Sequence, residues 1–258
     1  MSRLAPALLL AALAAARASG QGLDAPLYAE LLLHHTREVA DTAGVRVDYA
    51  ALRGDPAWRR LVAGLEAAAP EALADRRDRL AFWINAYNAL AIDLVVRHPG
   101  VRSIREIGSF FRPIWKLEAG RVGGLERSLG EIEHEILRPI GEPRMHAAIV
   151  CASVSCPPLR REPYEPSRLD AQLDEQLRRF LASPEKGLRV YAATGTVLLS
   201  RVFDWFAADF EASGGALAFA ARYAPAAARA FLEAQRDRPR VAYLPYDWSL
   251  NALEGHGP

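Results

Sequence analysis

The chain has 258 residues, of which 51% are hydrophobic and 24% are charged, so it can bury a sizeable core. Its 32 Lys and Arg residues balance its 31 Asp and Glu residues, and the net charge is +1. This balance excludes an overall field that would attract nucleic acid or an anionic membrane, so partners have to be inferred from local sites.

The N-terminal residues have the organisation of a secretory signal peptide. Arg3 precedes a run over residues 4–16 that is apolar apart from Pro6. Ala16-Arg17-Ala18, followed by Ser19 and Gly20, resembles an A-x-A cleavage site. The run is shorter than the roughly 20 residues that span a membrane, and a frayed N-terminal helix is the alternative. We therefore expect residues 1–20 to be a signal peptide and the protein to be periplasmic or secreted.

The remaining residues, 21–258, contain no Ser/Gly-rich linker, so we expect a single globular domain. No Cys follows the signal peptide to carry a lipid, and no later stretch is predicted to span a bilayer. The two cysteines, Cys151 and Cys156, can form a disulfide in an oxidising compartment, although a bond closing so small a loop stabilises little and can be redox-labile. Their spacing is not C-x-x-C, and the sequence predicts neither a metal site nor a cofactor.

Three helices and a strand are predicted in the first hundred residues. Helical spacing after an Asp-x-Pro start indicates a helix from Asp24 to about Ala40, and alternating apolar and polar residues indicate a strand at 45–49. Asp55-Pro56 begins a second helix, and the most apolar helix covers about residues 78–96.

The helix at residues 78–96 carries two amides, Asn85 and Asn88, on one side. Its other residues are apolar nearly all round, so we expect it to be buried. A buried amide without partners costs about 1–3 kcal/mol. The pair therefore either braces the backbone of a loop, which we favour, or faces a polar pocket as a binding site.

A capping box at Ser128 and Glu131 predicts a helix from Leu129 to about Leu137. The helical wheel places Glu133 within the apolar arc of this helix. A carboxylate in that position needs a partner or a chemical function.

The rest of the chain supplies further helices and short strands. The predicted elements are a buried strand from Met145 to Val150, a helix capped by Ser167, a hairpin at 188–199 that turns at Gly195, helices at 203–210 and 216–223, and a strand at 241–244. Because regular βαβ alternation is absent, the sequence predicts an α+β fold that is rich in helix, with a small, mostly antiparallel sheet.

Residues 146–159 combine a His, two Cys and two Ser in one short segment. A Cys needs a base to become a thiolate, and His146 is the candidate base for Cys151 if the strand bends between them. His134 is the alternative base, and Glu133 can orient an imidazole. Ser153 and Ser155 are candidate binding residues, although we expect their hydroxyls to bond the loop's own backbone.

Two aromatic segments are predicted to be core. The first contains Phe203, Trp205, Phe206 and Phe210, and its neighbours Asp204 and Asp209 are expected to be solvated or capping groups. The second, residues 246–251, is expected to close the core rather than cover a groove.

A family resemblance extends over most of residues 21–258. Its motifs are Phe82 to Leu90, Glu131 to Glu133, His146 to Leu159, Phe203 to Trp205, Asp209-Phe210 and Tyr246 to Trp248. Together they resemble the domain-of-unknown-function family 547 (DUF547), in an exported bacterial member. The resemblance implies a single exported domain in which Asn85, Asn88, Glu133, His146 and Cys151 matter, and it favours a free Cys151 over an obligatory disulfide. The family has no established activity, so no reaction is implied.

The leading hypothesis is a cysteine-nucleophile hydrolase or acyl transferase that acts on an amide or ester. In it Cys151 attacks, His146 is the base, and Glu133 or an Asn amide orients or stabilises charge. The substrate would be an unidentified small molecule, a peptide or an envelope component, and not a nucleic acid. The alternative is a non-catalytic binding or scaffold domain in which Cys151 and Cys156 form a structural or redox pair.

Overall fold

The computed structural model describes residues 22–234 and 239–253, so the predicted signal peptide lies outside the described residues. The α-helices in this part of the chain are α1 (Ala25–His35), α2 (Tyr49–Gly54), α3 (Pro56–Glu66), α4 (Arg76–Arg97), α5 (Leu129–Glu131), α6 (Leu169–Leu181), α7 (Val202–Trp205), α8 (Ala216–Tyr223) and α9 (Ala226–Ala234). The strands there are β1 (Thr36–Glu38), β2 (Val45–Val47), β3 (Glu118–Val122), β4 (Leu125–Ser128), β5 (Leu188–Tyr191), β6 (Thr196–Leu199) and β7 (Arg240–Tyr243).

The described strands form small, mostly antiparallel sheets. β1 pairs with β2 and β3 pairs with β4, both antiparallel. In the third sheet β5 and β6 form the predicted hairpin, with Gly195 at φ 64°, and β7 is parallel to β6. The predicted helix-rich α+β class is confirmed, with separate small sheets in place of a single one.

Helix α4 is the centre of the main hydrophobic core, and every side chain from Leu80 to Val96 is buried. By length and composition α4 could cross a membrane, contrary to the prediction that no later stretch could. A helix that is buried in the core of a protein has the same apolar composition as a membrane span, and α4 is buried in this way. A second cluster lies around the β5–β6 hairpin and α8, and Tyr246 packs against both clusters.

The predicted helix starts are confirmed at three positions. The Asp24 side chain accepts from the Leu27 N–H, Asp55 accepts from the Ala57 N–H, and Ser128 Oγ accepts from the Glu131 N–H at 3.0 Å. α1 ends at His35 rather than near Ala40, because the next residues pair with β2. Likewise α6 begins after Arg168, and Ser167 is not its cap.

The helix that follows Ser128 changes geometry after one turn. Ile132–Leu137 form a π-helical segment and Arg138–Ile140 a 3₁₀ turn. Such π segments are frequent at functional sites. Glu133 lies in this segment and is buried, as the helical wheel predicts.

The predicted strand at Met145 to Val150 is wrong, although the segment is buried. Pro143–Ala147 form a 3₁₀ helix, and the Met145 carbonyl accepts from the N–H groups of Ala148 and Ile149. A short apolar run fits a buried helical turn as well as a strand, and periodicity cannot separate them.

Candidate active site

The two asparagines of α4 hold the loops around the cysteines. Asn88 donates to the Ala148 carbonyl at 2.9 Å and accepts from the Val150 N–H at 2.8 Å. Asn85 binds the carbonyl and the N–H of Tyr164 in the same two-bond manner. Both amides therefore brace loop backbone, and this bracing replaces the hydrogen bonds that a neighbouring strand would have made.

The loop after Val150 turns sharply at the first cysteine. Ala152 has φ 61°, and it is the one residue other than glycine with a positive φ in the described part of the chain. A side chain in this conformation costs of order 1 kcal/mol or more, and such strain persists where surrounding bonds enforce it. Here the C-terminal segment enforces it, because the Asn251 N–H donates to the Ala152 carbonyl and the Val154 N–H donates to the Ser249 carbonyl.

The two sulfurs lie in contact within this turn. Cys151 Sγ is 2.6 Å from Cys156 Sγ, and both thiols are free. Tyr246 Oη lies 3.2 Å from Cys156 Sγ and 3.6 Å from Cys151 Sγ, while Ser153 Oγ lies 3.1 Å from Cys151 Sγ. The Cys151 N–H also donates to Cys156 Sγ. Cys156 is buried, whereas Cys151 is partly exposed.

This arrangement separates the acidities of the two thiols. Burial opposes ionisation of Cys156, but hydrogen bonds from Cys151, Tyr246 and Ser153 outweigh it and lower its pKa to about 6. The hydrogen bond to Cys156 and burial raise the pKa of Cys151 well above its ordinary value. The pair therefore loses one proton readily, and the second proton stays between the sulfurs.

Glu133 is a buried carboxyl in the same pocket. Burial, and next the charge of Cys156, raise its pKa to about 7. Its Oε2 lies 3.5 Å from the Tyr87 hydroxyl, and its Oε1 lies 4.0 Å from His146 Nδ1. A carboxyl with a pKa near neutrality can both give and take a proton at physiological pH.

His146 is held by Asp209 rather than by a cysteine. Its Nε2 lies 2.7 Å from Asp209 Oδ2, and Asp209 in turn binds Arg138 through two hydrogen bonds of 2.7 Å. Burial lowers the pKa of His146 to about 4, so the ring is neutral at pH 7 and its Nε2–H donates to Asp209. His146 Nδ1, which faces Glu133, has no hydrogen-bond partner among the described residues.

Cys151, Cys156, Glu133 and His146 all line one pocket of about 610 Å³. Six of the fifteen residues that line it are Phe, Tyr or Trp. Two of these, Trp205 and Trp248, stack with ring centroids 5.6 Å apart. Arg105 lies over the Trp248 ring at the exposed side. The other aromatic wall residues are Tyr87, Trp115, Phe206 and Tyr246. Among the residues that the structure describes, no group of three or more His, Cys, Asp or Glu is arranged to hold a metal ion.

Residues 70–181 match the sequence model of a family described as a protein of unknown function, DUF547. This segment belongs to the DUF547 family. It contains α4 with both asparagines, Glu133, His146 and both cysteines, whereas Asp209 and Tyr246 lie outside it. No curated protein and no solved structure matches the chain.

The DUF547 segment brings three of the predicted catalytic residues, Cys151, His146 and Glu133, to one pocket. The expected hydrogen bond between His146 and Cys151 is absent, because no imidazole is among the hydrogen-bond partners of either sulfur in the described chain. The alternative base, His134, also lines the pocket, and its Nδ1 accepts from Arg138.

The predicted binding residues lie behind the pocket rather than on its wall. Ser153 Oγ contacts both sulfurs, and Ser155 Oγ accepts from the Asp247 N–H at 2.8 Å. The expectation that both hydroxyls bond the backbone of their own loop is therefore wrong. Asn85 and Asn88 brace loops and are not among the lining residues.

Sequence reasoning missed several residues of the pocket. Asp209 was expected to be solvated or capping, and Trp205 and Phe206 were expected to be core. The structure shows that Trp205 and Phe206 line the pocket and that Asp209 binds His146, which also lines it. The C-terminal segment covers a groove through Tyr246 and Trp248, while its Asn251 accepts from the Tyr49 hydroxyl inside the protein. Trp205 and Trp248 each follow an Asp, but this local pattern does not distinguish a residue of a pocket wall from a residue of the core.

Proposed function

We propose that the protein is a cysteine-nucleophile enzyme that hydrolyses or transfers the acyl group of an amide or ester, with Cys151 as the nucleophile. One observation carries this proposal. Cys151 is a partly exposed residue that lines an aromatic pocket, and its sulfur contacts a second sulfur whose neighbours favour its thiolate form. A thiolate is the reactive form of a cysteine, so this contact supplies what an imidazole supplies elsewhere.

In the proposed acylation step Cys156 is the general base. As Cys151 Sγ attacks the carbonyl carbon, its proton passes to the adjacent Cys156 thiolate. A C–S bond forms, the C–N or C–O bond breaks, and the carboxyl group of Glu133 gives its proton to the leaving nitrogen or oxygen. His146 is a positioning residue that keeps a neutral ring beside Glu133.

In the second step the Glu133 carboxylate takes a proton from water or from an acceptor alcohol or amine. The resulting nucleophile attacks the thioester carbon, the C–S bond breaks, and Cys151 leaves as a thiolate. The proton on Cys156 returns to Cys151, and the Glu133 carboxyl is again protonated. The aromatic walls exclude water around the acyl group and favour an apolar or flat substituent.

The sulfur contact also favours a second candidate function, thiol–disulfide exchange. Cys151 would attack a substrate disulfide and release one thiol, and Cys156 would then attack the mixed disulfide and release the second. The protein would end as the Cys151–Cys156 disulfide, and a dithiol would have to reduce it. This candidate needs a disulfide substrate and oxidises both cysteines in every turnover, whereas acyl transfer needs no disulfide and leaves both sulfurs reduced.

The test is the rate of iodoacetamide labelling of the reduced protein against pH, with mass spectrometry to locate the label. Because the two thiols share a proton, labelling of Cys151 should follow the first ionisation of the pair, with a midpoint below the ordinary thiol pKa of about 8.5. Cys156→Ser removes the base, so it should slow labelling at pH 7 by about tenfold or more. His146→Ala should leave the midpoint within about half a unit of the wild-type value, because the ring is not bonded to sulfur.

A wild-type midpoint at or above 8.5, or a label on Cys156, contradicts the proposal.

Two chemical probes distinguish the two candidate functions. An activated ester should leave a thioester on Cys151 in acyl transfer, and a small aromatic disulfide should leave a Cys151–Cys156 disulfide in exchange. Cys151→Ser, which keeps a polar group of similar size, is the control that should give neither product.

A further inference from the structure

Two phenylalanines project from the surface beside the pocket. Phe110 is 95% exposed and Phe111 is 89% exposed, more than any other large hydrophobic residue of the described chain. Their rings meet edge to face with centroids 5.4 Å apart. Exposing two neighbouring aromatic rings is unfavourable in water, so such a patch indicates an interaction surface.

The backbone holds these rings outward in a defined turn. The Ser109 N–H donates to the Arg112 carbonyl at 2.9 Å, and the Arg112 N–H donates to Ser109 Oγ at 3.1 Å. A Cβ at Gly108 would lie 2.5 Å from the Ile114 nitrogen, so only glycine permits this close approach. Ile114 is buried and anchors the turn. The aromatic tip, residues 108–112, is therefore a preformed element.

The surface around the aromatic tip is basic. Between residues 101 and 120 the basic side chains are Arg102, Arg105, Arg112 and Lys116, and the acidic ones are Glu106 and Glu118. All four basic residues are exposed. Arg102 lies 3.9 Å from Glu106, and the salt bridges of the described chain leave Arg105, Arg112 and Lys116 without an acidic partner. The segment thus carries local positive charge although the whole chain is nearly neutral.

We propose that the aromatic tip binds the surface of an anionic membrane. Phe110 and Phe111 would enter the region between headgroups and acyl chains, and the arginines and lysine would contact the lipid phosphates. A convex tip of two rings offers far less area than the roughly 800 Å² that each partner buries in a stable protein interface, and this comparison favours a membrane over a protein.

The aromatic tip lies beside the candidate active site. A groove of about 670 Å³ runs beside Phe110 and shares Arg105, Trp115 and Trp248 with the pocket that contains the cysteines. A protein docked by this tip would present the mouth of that pocket to the lipid surface. Membrane binding is inferred from the tip alone and does not depend on the proposed reaction.

The test is co-sedimentation with vesicles of phosphatidylcholine alone and of phosphatidylcholine mixed with phosphatidylglycerol. We expect the protein to bind the mixed vesicles and to bind more weakly as salt is added. The double variant Phe110→Ser/Phe111→Ser should lower the partition coefficient by about tenfold or more. Leu33→Ser/Val241→Ser removes two exposed apolar side chains elsewhere on the surface and should lower it less than twofold.

A second double variant separates the contribution of the basic side chains to membrane binding from that of the inserted phenylalanine rings. Arg105→Gln/Arg112→Gln should reduce the preference for phosphatidylglycerol while weak binding to phosphatidylcholine persists. Equal binding by wild type and the double serine variant, or no binding to either vesicle, would overturn the proposal. A wild-type dimer in light scattering that the double serine variant abolishes would also overturn it, because the tip would then be a protein interface.

Discussion

Asn88→Ala should lower the free energy of unfolding by about 3–5 kcal/mol. The substitution removes both hydrogen bonds of a buried amide and leaves the Ala148 carbonyl and the Val150 N–H without partners. Each buried group left unsatisfied costs about 1–3 kcal/mol, and the empty side-chain volume adds to that cost. Urea unfolding of the reduced protein, followed by circular dichroism, measures the change.

Asn85→Ala is the matched variant, because it removes two similar bonds from the same helix but frees Tyr164 instead. We expect a comparable loss of stability in both variants. Only Asn88→Ala should also change the labelling rate of Cys151, because only Asn88 holds the backbone that leads into the cysteine turn. A loss below about 1 kcal/mol for Asn88→Ala would show that water or relaxation replaces the bracing.

Glu133→Gln should make the protein more stable than wild type at pH 8 but not at pH 5. The pKa of Glu133 is raised to about 7 by burial, so between its unfolded value near 4.5 and pH 7 the folded state holds a proton that the unfolded state has lost. The stability that the neutral carboxyl adds to the folded state is fully present below pH 4.5 and is lost as the pH rises through 7. A shift of this size corresponds to about 3 kcal/mol.

The measurement is the difference in free energy of unfolding between Glu133→Gln and wild type at each pH, which cancels the titration of groups that both proteins share. Glu135→Gln is the control, since Glu135 is exposed in the same segment, and its difference should stay within about 0.5 kcal/mol across this range. A difference for Glu133→Gln that does not grow between pH 5 and pH 8 would mean that Glu133 is already ionised at pH 5.

Local interactions explain why much of the fold could be predicted from the sequence. Ser128 and Glu131 are three residues apart, and their bond forms wherever the chain turns into a helix. The hairpin at Gly195 depends on one positive φ between two alternating segments. Burial of α4 follows from its apolar composition, and the need of Asn85 and Asn88 for partners follows from that burial.

The error at residues 145–150 has a physical cause outside the segment. The apolar run satisfies its backbone through Asn88 and through its own 3₁₀ turn, so it needs no neighbouring strand. A side chain 60 or more residues earlier in the chain thus decides between two local structures that the same sequence permits.

By itself the sequence determined the helix-rich α+β class, the burial of Glu133, and the concentration of nucleophiles at residues 146–159. Only the tertiary structure decided their partners. It paired His146 with Asp209, 63 residues away, and placed the Tyr246 hydroxyl, 95 residues from Cys151, against both sulfurs. Local patterns specify which face of an element is buried, but contacts at such separations depend on how the two core clusters pack, and no periodicity records that packing.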